Sequence, residues 1–181
     1  MACTNCPITL TAQLRNGGCD LTTAGGVMEL YIAQRCDVAS ITTGTSSVVT
    51  AITMESGKTF TTFQQNPNVA NLTTTANSGD LVPTTYTTNV NLKFYKLDSA
   101  KRLNFMALSQ GETIVIVRLV SGEYILVGEQ YYTKLSAGTI NSGTNMAEPG
   151  TYDVTLTEIS SYAPKHVTSG IIDGIVDSYA L

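Results

Sequence analysis

The chain has no tryptophan and one histidine, and only 13% of its 181 residues carry charge, about half the usual ~25%. Each shortage excludes something. A nucleophile–base pair draws most often on histidine, and the only one, His166, follows Pro164 and Lys165 in a polar stretch. That setting reads as a solvated side chain. No Gly-x-Ser-x-Gly, no His-Glu-x-x-His and no phosphate-binding glycine loop occurs. Asp98, Glu112 and Glu123 are carboxylates near element ends, and their spacing gives no support for an acid pair of the glycosidase kind. The reading is a protein without catalytic or cofactor-binding residues. Basic residues are equally sparse: ten Lys and Arg against fourteen Asp and Glu give a net charge of −4. Only Lys101 and Arg102 are adjacent. Phosphate neutralisation needs cations gathered on one face, so specific nucleic-acid binding is not expected. No stretch approaches the ~20 apolar residues of a membrane span. The start, Met1-Ala2-Cys3-Thr4-Asn5-Cys6-Pro7, lacks the basic and apolar regions of a secretory signal, and synthesis and folding in a cytoplasm are expected.

Four cysteines are present, at 3, 6, 19 and 36. Cys3-x-x-Cys6 with Cys19 and Cys36 offers four thiolates for zinc. The second pair lacks the close spacing of a double Cys-x-x-Cys site, and disulfides fit poorly with a cytoplasm. Free thiols are the reading; a metal staple on the amino-terminal arm is the alternative.

What is present is threonine, serine, asparagine and glycine around apolar residues that alternate. Hydrophobic residues make up 43%, which argues against global disorder. A surface poor in charge suits a subunit that lies against copies of itself, because interface cores are depleted in charge. Period-two alternation puts successive side chains on opposite sheet faces. It predicts strands over 27–33, 47–54, 58–64, 84–97, 112–120, 123–127 and 151–159. Further pairing is expected near 38–41, 69–76 and 130–135. Glu55-Ser56-Gly57-Lys58 reads as a hairpin turn between its neighbours, and Ser121-Gly122 as another. Residues 137–149 read as a loop. One helix is expected at about 99–110, capped by Asp98 or Ser99 and ended by Gly111. Its buried stripe would be Leu103, Met106 and Ala107. The fold class is therefore mainly β, a sandwich or barrel with extended hairpins and one flanking helix. The organisation read is an irregular arm over 1–26, a β-rich domain over 27–163 and a carboxyl-terminal tail over 164–181.

Two regions carry a resemblance. Gly25-Gly26-Val27-Met28-Glu29-Leu30-Tyr31-Ile32-Ala33-Gln34-Arg35-Cys36-Asp37-Val38 resembles the opening of structural proteins from phages of Bacteroides-like hosts. Gly122-Glu123-Tyr124-Ile125-Leu126-Val127-Gly128 is similar to their closing part, as is the stretch from Ser142-Gly143-Thr144 to Thr155-Leu156-Thr157. Pro149 and the four cysteines depart from that pattern. The resemblance, to bacteriophage tail tube proteins, implies a β-sandwich whose hairpins join those of neighbouring copies. Six copies would close a ring around a channel, and rings would stack through loops and arms. It implies a virion protein of the tail, assembled in the bacterial host cytoplasm. Its partners would be further copies and neighbouring tail proteins, with DNA passing the lumen unbound and no membrane involved. The lumen sheet is expected from 47–64 and 84–97. A ring or terminator protein of a short-tailed phage would share the fold. A carbohydrate-binding sandwich is the alternative of another class, with Tyr131-Tyr132 as its aromatic platform.

Overall fold

Alternating stretches become strands, and their registers divide them between two sheets. The computed structural model describes residues 25–66, 69–79 and 82–177. In chain order it contains β1 (Val27–Gln34), β2 (Val38–Thr43), β3 (Val49–Met54), β4 (Thr61–Gln64), β5 (Asn71–Gly79) and β6 (Val82–Tyr95). Helix α1 (Ser99–Gln110) follows, then β7 (Thr113–Leu119), β8 (Tyr124–Val127), β9 (Lys134–Asn141), β10 (Thr151–Ser160) and β11 (Lys165–Val167). One sheet has seven strands in the order β2-β3-β11-β8-β7-β1-β4; the other has four, β5-β6-β10-β9. The molecule is mainly β, with two sheets and, among the described residues, one α-helix.

The two sheets share a core. Leu30, Ile32, Val115 and Val117 of the larger sheet meet Val90, Leu92, Val154 and Leu156 of the smaller one, all buried. β7 lies between β1 and β8, and Ile114 to Val117 are at most 2% exposed. That is the double-sided burial expected of a central strand without alternation. The opposite face of the larger sheet carries a second core, with Tyr31, Ile114, Ile116, Leu126 and Phe60. Residues after β11 cover it. Thr168 N–H donates to Val49 O at 3.0 Å, and a 3₁₀ turn, Ser169–Gly174, drives Ile172 into the cluster. Phe60 N–H then donates to Ile175 O at 2.8 Å. The stretch read as a tail thus supplies an interior strand and a lid on one core.

Several expectations change in the structure. The turn at Glu55 to Lys58 forms, with Lys58 N–H donating to Glu55 O and Gly57 at φ 74°. The strands on either side diverge, however: β3 pairs with β2 and β11, and β4 pairs with β1. Residues 47–64 and 84–97 therefore do not build one sheet. Glu55 N–H donates to Asp37 O, tying this turn to the 3₁₀ turn, Arg35–Asp37, between β1 and β2. Residues 134–141, read mostly as loop, form β9, which pairs with β10 through a bulge opposite Thr155 and Leu156. The hairpin at Ser121-Gly122 forms as read, with Gly122 at φ 90°.

The helix keeps its place but turns a different face inward. Asp98 Oδ1 accepts the Lys101 N–H at 2.8 Å, and Gly111 N–H donates to Ala107 O at 2.9 Å. A Cβ on Gly111 would sit 2.9 Å from that oxygen, so glycine is what lets the chain turn so closely. Leu108 is the buried residue of α1, and Phe105 packs partly buried against the same core, whereas Leu103 is 62% and Met106 40% exposed. The reason lies in β9. A Cβ on Gly138 would come within 2.8 Å of the Phe105 ring, so the missing side chain makes room for Phe105 and fixes the helix rotation.

Candidate functional site

The four-stranded sheet presents an outer face built from short polar side chains. Antiparallel registers align them in rows across the strands. Asn71 stands opposite Asn91, Asn91 opposite Thr155, and Thr155 opposite Ala137. The next row runs Thr73, Asn89, Thr157 and Lys134. Because side chains alternate, the partners of these residues, Val90, Leu92, Val154 and Leu156, point to the core. The rows are knitted by hydrogen bonds. Asn91 Nδ2 donates to Asn71 Oδ1 at 2.6 Å, and Thr155 Oγ1 donates to Asn91 Oδ1 at 2.8 Å. Thr157 Oγ1 donates to Asn89 Oδ1 at 2.6 Å, and Asn77 Nδ2 to Thr87 Oγ1 at 3.0 Å. The ion pair Lys93–Asp153 at 3.1 Å sits on the same face and cancels itself. The outcome is a mainly polar surface, with Ile159 exposed at one end and its lysines, Lys93 and Lys134, each beside a carboxylate.

Two features of this sheet suit pairing with something outside it. Its outer strands, β5 and β9, have no partner on their far sides among the described residues. From Thr73 to Gly79, β5 is exposed on both faces, so its hairpin with β6 runs past the core. The inward rows show where the core stops: Leu72, Val90 and Leu156 are the last apolar row, followed by Thr74, Thr88 and Glu158. Thr74 and Thr88 hydroxyls meet at 3.1 Å. Glu158 is 4% exposed and accepts the Gly128 N–H at 2.8 Å. Burial pushes its carboxyl up, opposed by N–H groups of Gly128, Gln130 and Tyr131. It ties β10 to the β8–β9 connection.

The residues singled out from sequence do not converge. Asp98 and Glu112 flank the two ends of α1, roughly 20 Å apart at 1.5 Å per residue. Asp98 caps the helix; Glu112 pairs with Lys134 at 3.4 Å. Glu123 lies in the β7–β8 turn, where His166 of β11 approaches it at 3.8 Å, both more than half exposed. Cys36 is an exposed free thiol, and Cys3, Cys6 and Cys19 lie outside the described residues. Among the described residues no cluster of three metal-ligating side chains forms. Tyr131 is 57% exposed, but Tyr132 is half-buried with Lys134 Nζ 4.9 Å and Arg35 5.8 Å from its ring centre. Cations already cover the second ring of that pair.

A concavity of about 720 Å³ opens between β2, the end of β1 and the turn after α1. Glu112 and Glu129 line it, and each is held by a lysine, Glu129 by Lys165 at 2.7 Å. Tyr162 stands beside this pair; burial and the Glu129 charge push its hydroxyl up to about 12. His166 is not among its lining residues. Sequence reasoning passed over Glu129, Lys165 and Glu158, although Glu158 falls on the apolar side of the β10 alternation. Comparison of the chain with protein-family models, curated proteins and solved structures finds no match.

Proposed function

We propose that this protein is a virion structural subunit of a phage tail tube, whose copies join edge to edge into rings that stack around a channel for DNA. The observation that carries the reading is the four-stranded sheet itself, polar on its outer face and, among the described residues, open at both edges. Its strands alternate in direction, so β5 and β9 run opposite ways. Copies related by rotation about an axis along the strands keep those directions. β9 of one copy then meets β5 of the next as an antiparallel pair, and one head-to-tail contact repeats until the ring closes. Closure removes exposed edges, which otherwise invite aggregation. With six copies the ring holds roughly 24 strands, and at about 4.8 Å spacing the barrel is roughly 37 Å across at the backbone, wider with strand tilt. The Asn–Thr face then lines the channel. It has hydrogen bonds of its own, and its lysines, Lys93 and Lys134, lie in ion pairs, so DNA slides past it unheld.

The lumen residues in this reading come from β5, β6, β10 and β9, in place of 47–64. A ring or terminator protein of a short tail uses the same contact with fewer layers. The test is negative-stain imaging of the purified chain over a concentration series. Rings or tubes with a central hole are expected; a monodisperse monomer throughout contradicts the reading.

A further inference from the structure

The two cores use different parts of the chain. Among the described residues, the core between the sheets takes nothing from β2, β3, β11 or the 3₁₀ turn Ser169–Gly174. Those elements give Val49, Ile52, Val167 and Ile172 to the second core instead, and Ile175 follows them there. Their attachment is equally separate. β2 pairs with β3, and β3 meets the other strands through β11, at one registered pair, Val49 with Val167. β11 has three residues and pairs with β8 on its other side. Beyond it, Thr168 N–H reaches Val49 O, and Asp177 N–H donates to Phe60 O at 3.1 Å. One side-chain cluster clasps the join. Lys165 Nζ donates to Glu129 Oε1 at 2.7 Å and to Thr43 Oγ1 at 3.1 Å, and lies 4.8 Å from the Tyr162 ring centre. It ties β11 to the last residue of β2 and to the connection after β8. The Lys165 and Glu129 side chains are 18% and 17% exposed, so their attraction is only weakly screened.

We propose that β2, β3 and residues 165–177 open and close as one unit, latched by Lys165, while the core between the sheets stays folded. Cooperative units of this kind open at a free energy below that of global unfolding, because the rest of the molecule keeps its own packing. Here the core between the sheets loses no member when the unit leaves. The chain enters and leaves the unit at irregular connections, residues 35–37, 55–59 and 161–164, where backbone angles change without breaking a strand. Opening uncovers Tyr31, Ile114, Ile116 and Leu126 on the far side of the second core. That loss of apolar burial opposes opening. The clasp adds to it, since opening parts Lys165 from Glu129 and Thr43. Ring formation plays no part in the argument, and its failure would leave this proposal standing.

Amide hydrogen exchange on the full chain, in rising guanidinium below the unfolding transition, tests it. The β2–β3 ladder amides and those of Thr168 and Ile175 should share one opening, about tenfold or more as frequent as the opening that exposes β7. Phe60 N–H should join them, because its acceptor, Ile175 O, belongs to the unit. Lys165→Met should speed this group about tenfold. If Lys165→Met misfolds, Thr43→Val should act in the same direction, by about threefold. Ile32 lies in the core that stays folded, so Ile32→Val should speed β7 about fivefold and leave the group unchanged. One common rate for the group and β7 in the unaltered chain overturns the proposal, as do separate rates for the β2–β3 ladder and residues 165–177. So does a group that Ile32→Val speeds as much as β7, or one that neither clasp variant speeds.

Discussion

Glu29 and Arg118 face each other across β1 and β7 at 2.7 Å, and the Tyr31 hydroxyl donates to the same carboxylate at 2.8 Å. Burial pushes Glu29 up, but the bonds from Arg118 and Tyr31 outweigh it and hold the carboxyl below its usual range. Burial and the Glu29 contact push Tyr31 up, which keeps its proton in place to donate. Arg118→Ala should cost about 2 kcal/mol in a denaturant titration, since it strips a charge-assisted bond from a half-buried carboxylate. Glu158 works with the opposite sign. Its folded carboxyl is raised, so the folded state binds the proton more tightly than the unfolded state. Its contribution is most favourable below the ordinary Glu range and is lost as pH rises through the raised value. Stability measured against pH should show that decline, and Glu158→Gln should remove it. Glu158→Ala should cost about 2 kcal/mol at low pH, leaving a buried Gly128 N–H without its acceptor, and less as pH rises through the raised value.

At the scale of elements, α1 shows how far a sequence reaches. Its start and end were legible because Asp98 and Gly111 act on local backbone groups. Its buried face was not. Leu103, Phe105, Met106 and Leu108 surround much of the helix, and periodicity alone does not choose among them. Gly138 chooses, from 33 residues away, by leaving a hole for the Phe105 ring. Leu108→Ala should therefore destabilise the protein by about 3 kcal/mol, whereas Leu103→Ala should change thermal unfolding by less than about 0.5 kcal/mol. The strand pairings divide the same way. β7, β8 and their Ser121-Gly122 turn were readable because the contact is local. The turn at Glu55 to Lys58 looked equally local, but β1 outcompetes β3 for β4, and such a long-range choice leaves no mark in a window of ten residues. β9 hid in a stretch rich in Gly, Ser and Thr, whose register depends on β10.

At the scale of the molecule, two cores share one sheet, and residues beyond β11 close the second. Ile172 is 2% exposed there, so Ile172→Ala should cost about 3 kcal/mol, checked by chemical unfolding. The mainly β class and the flanking helix were legible in alternation and caps. The partition into a seven-stranded and a four-stranded sheet was not, nor was the Asn–Thr face, because rows across strands depend on register. Assembly is proposed from that face and its edges. Thr73 on β5 and Thr139 on β9 are both exposed, and lysines on edge strands oppose pairing. The most direct measurement is electron microscopy of the unaltered chain beside a Thr73→Lys, Thr139→Lys double variant at equal concentration. The account predicts rings with a central hole in the first and folded monomers in the second. Rings in both, or in neither, would contradict it.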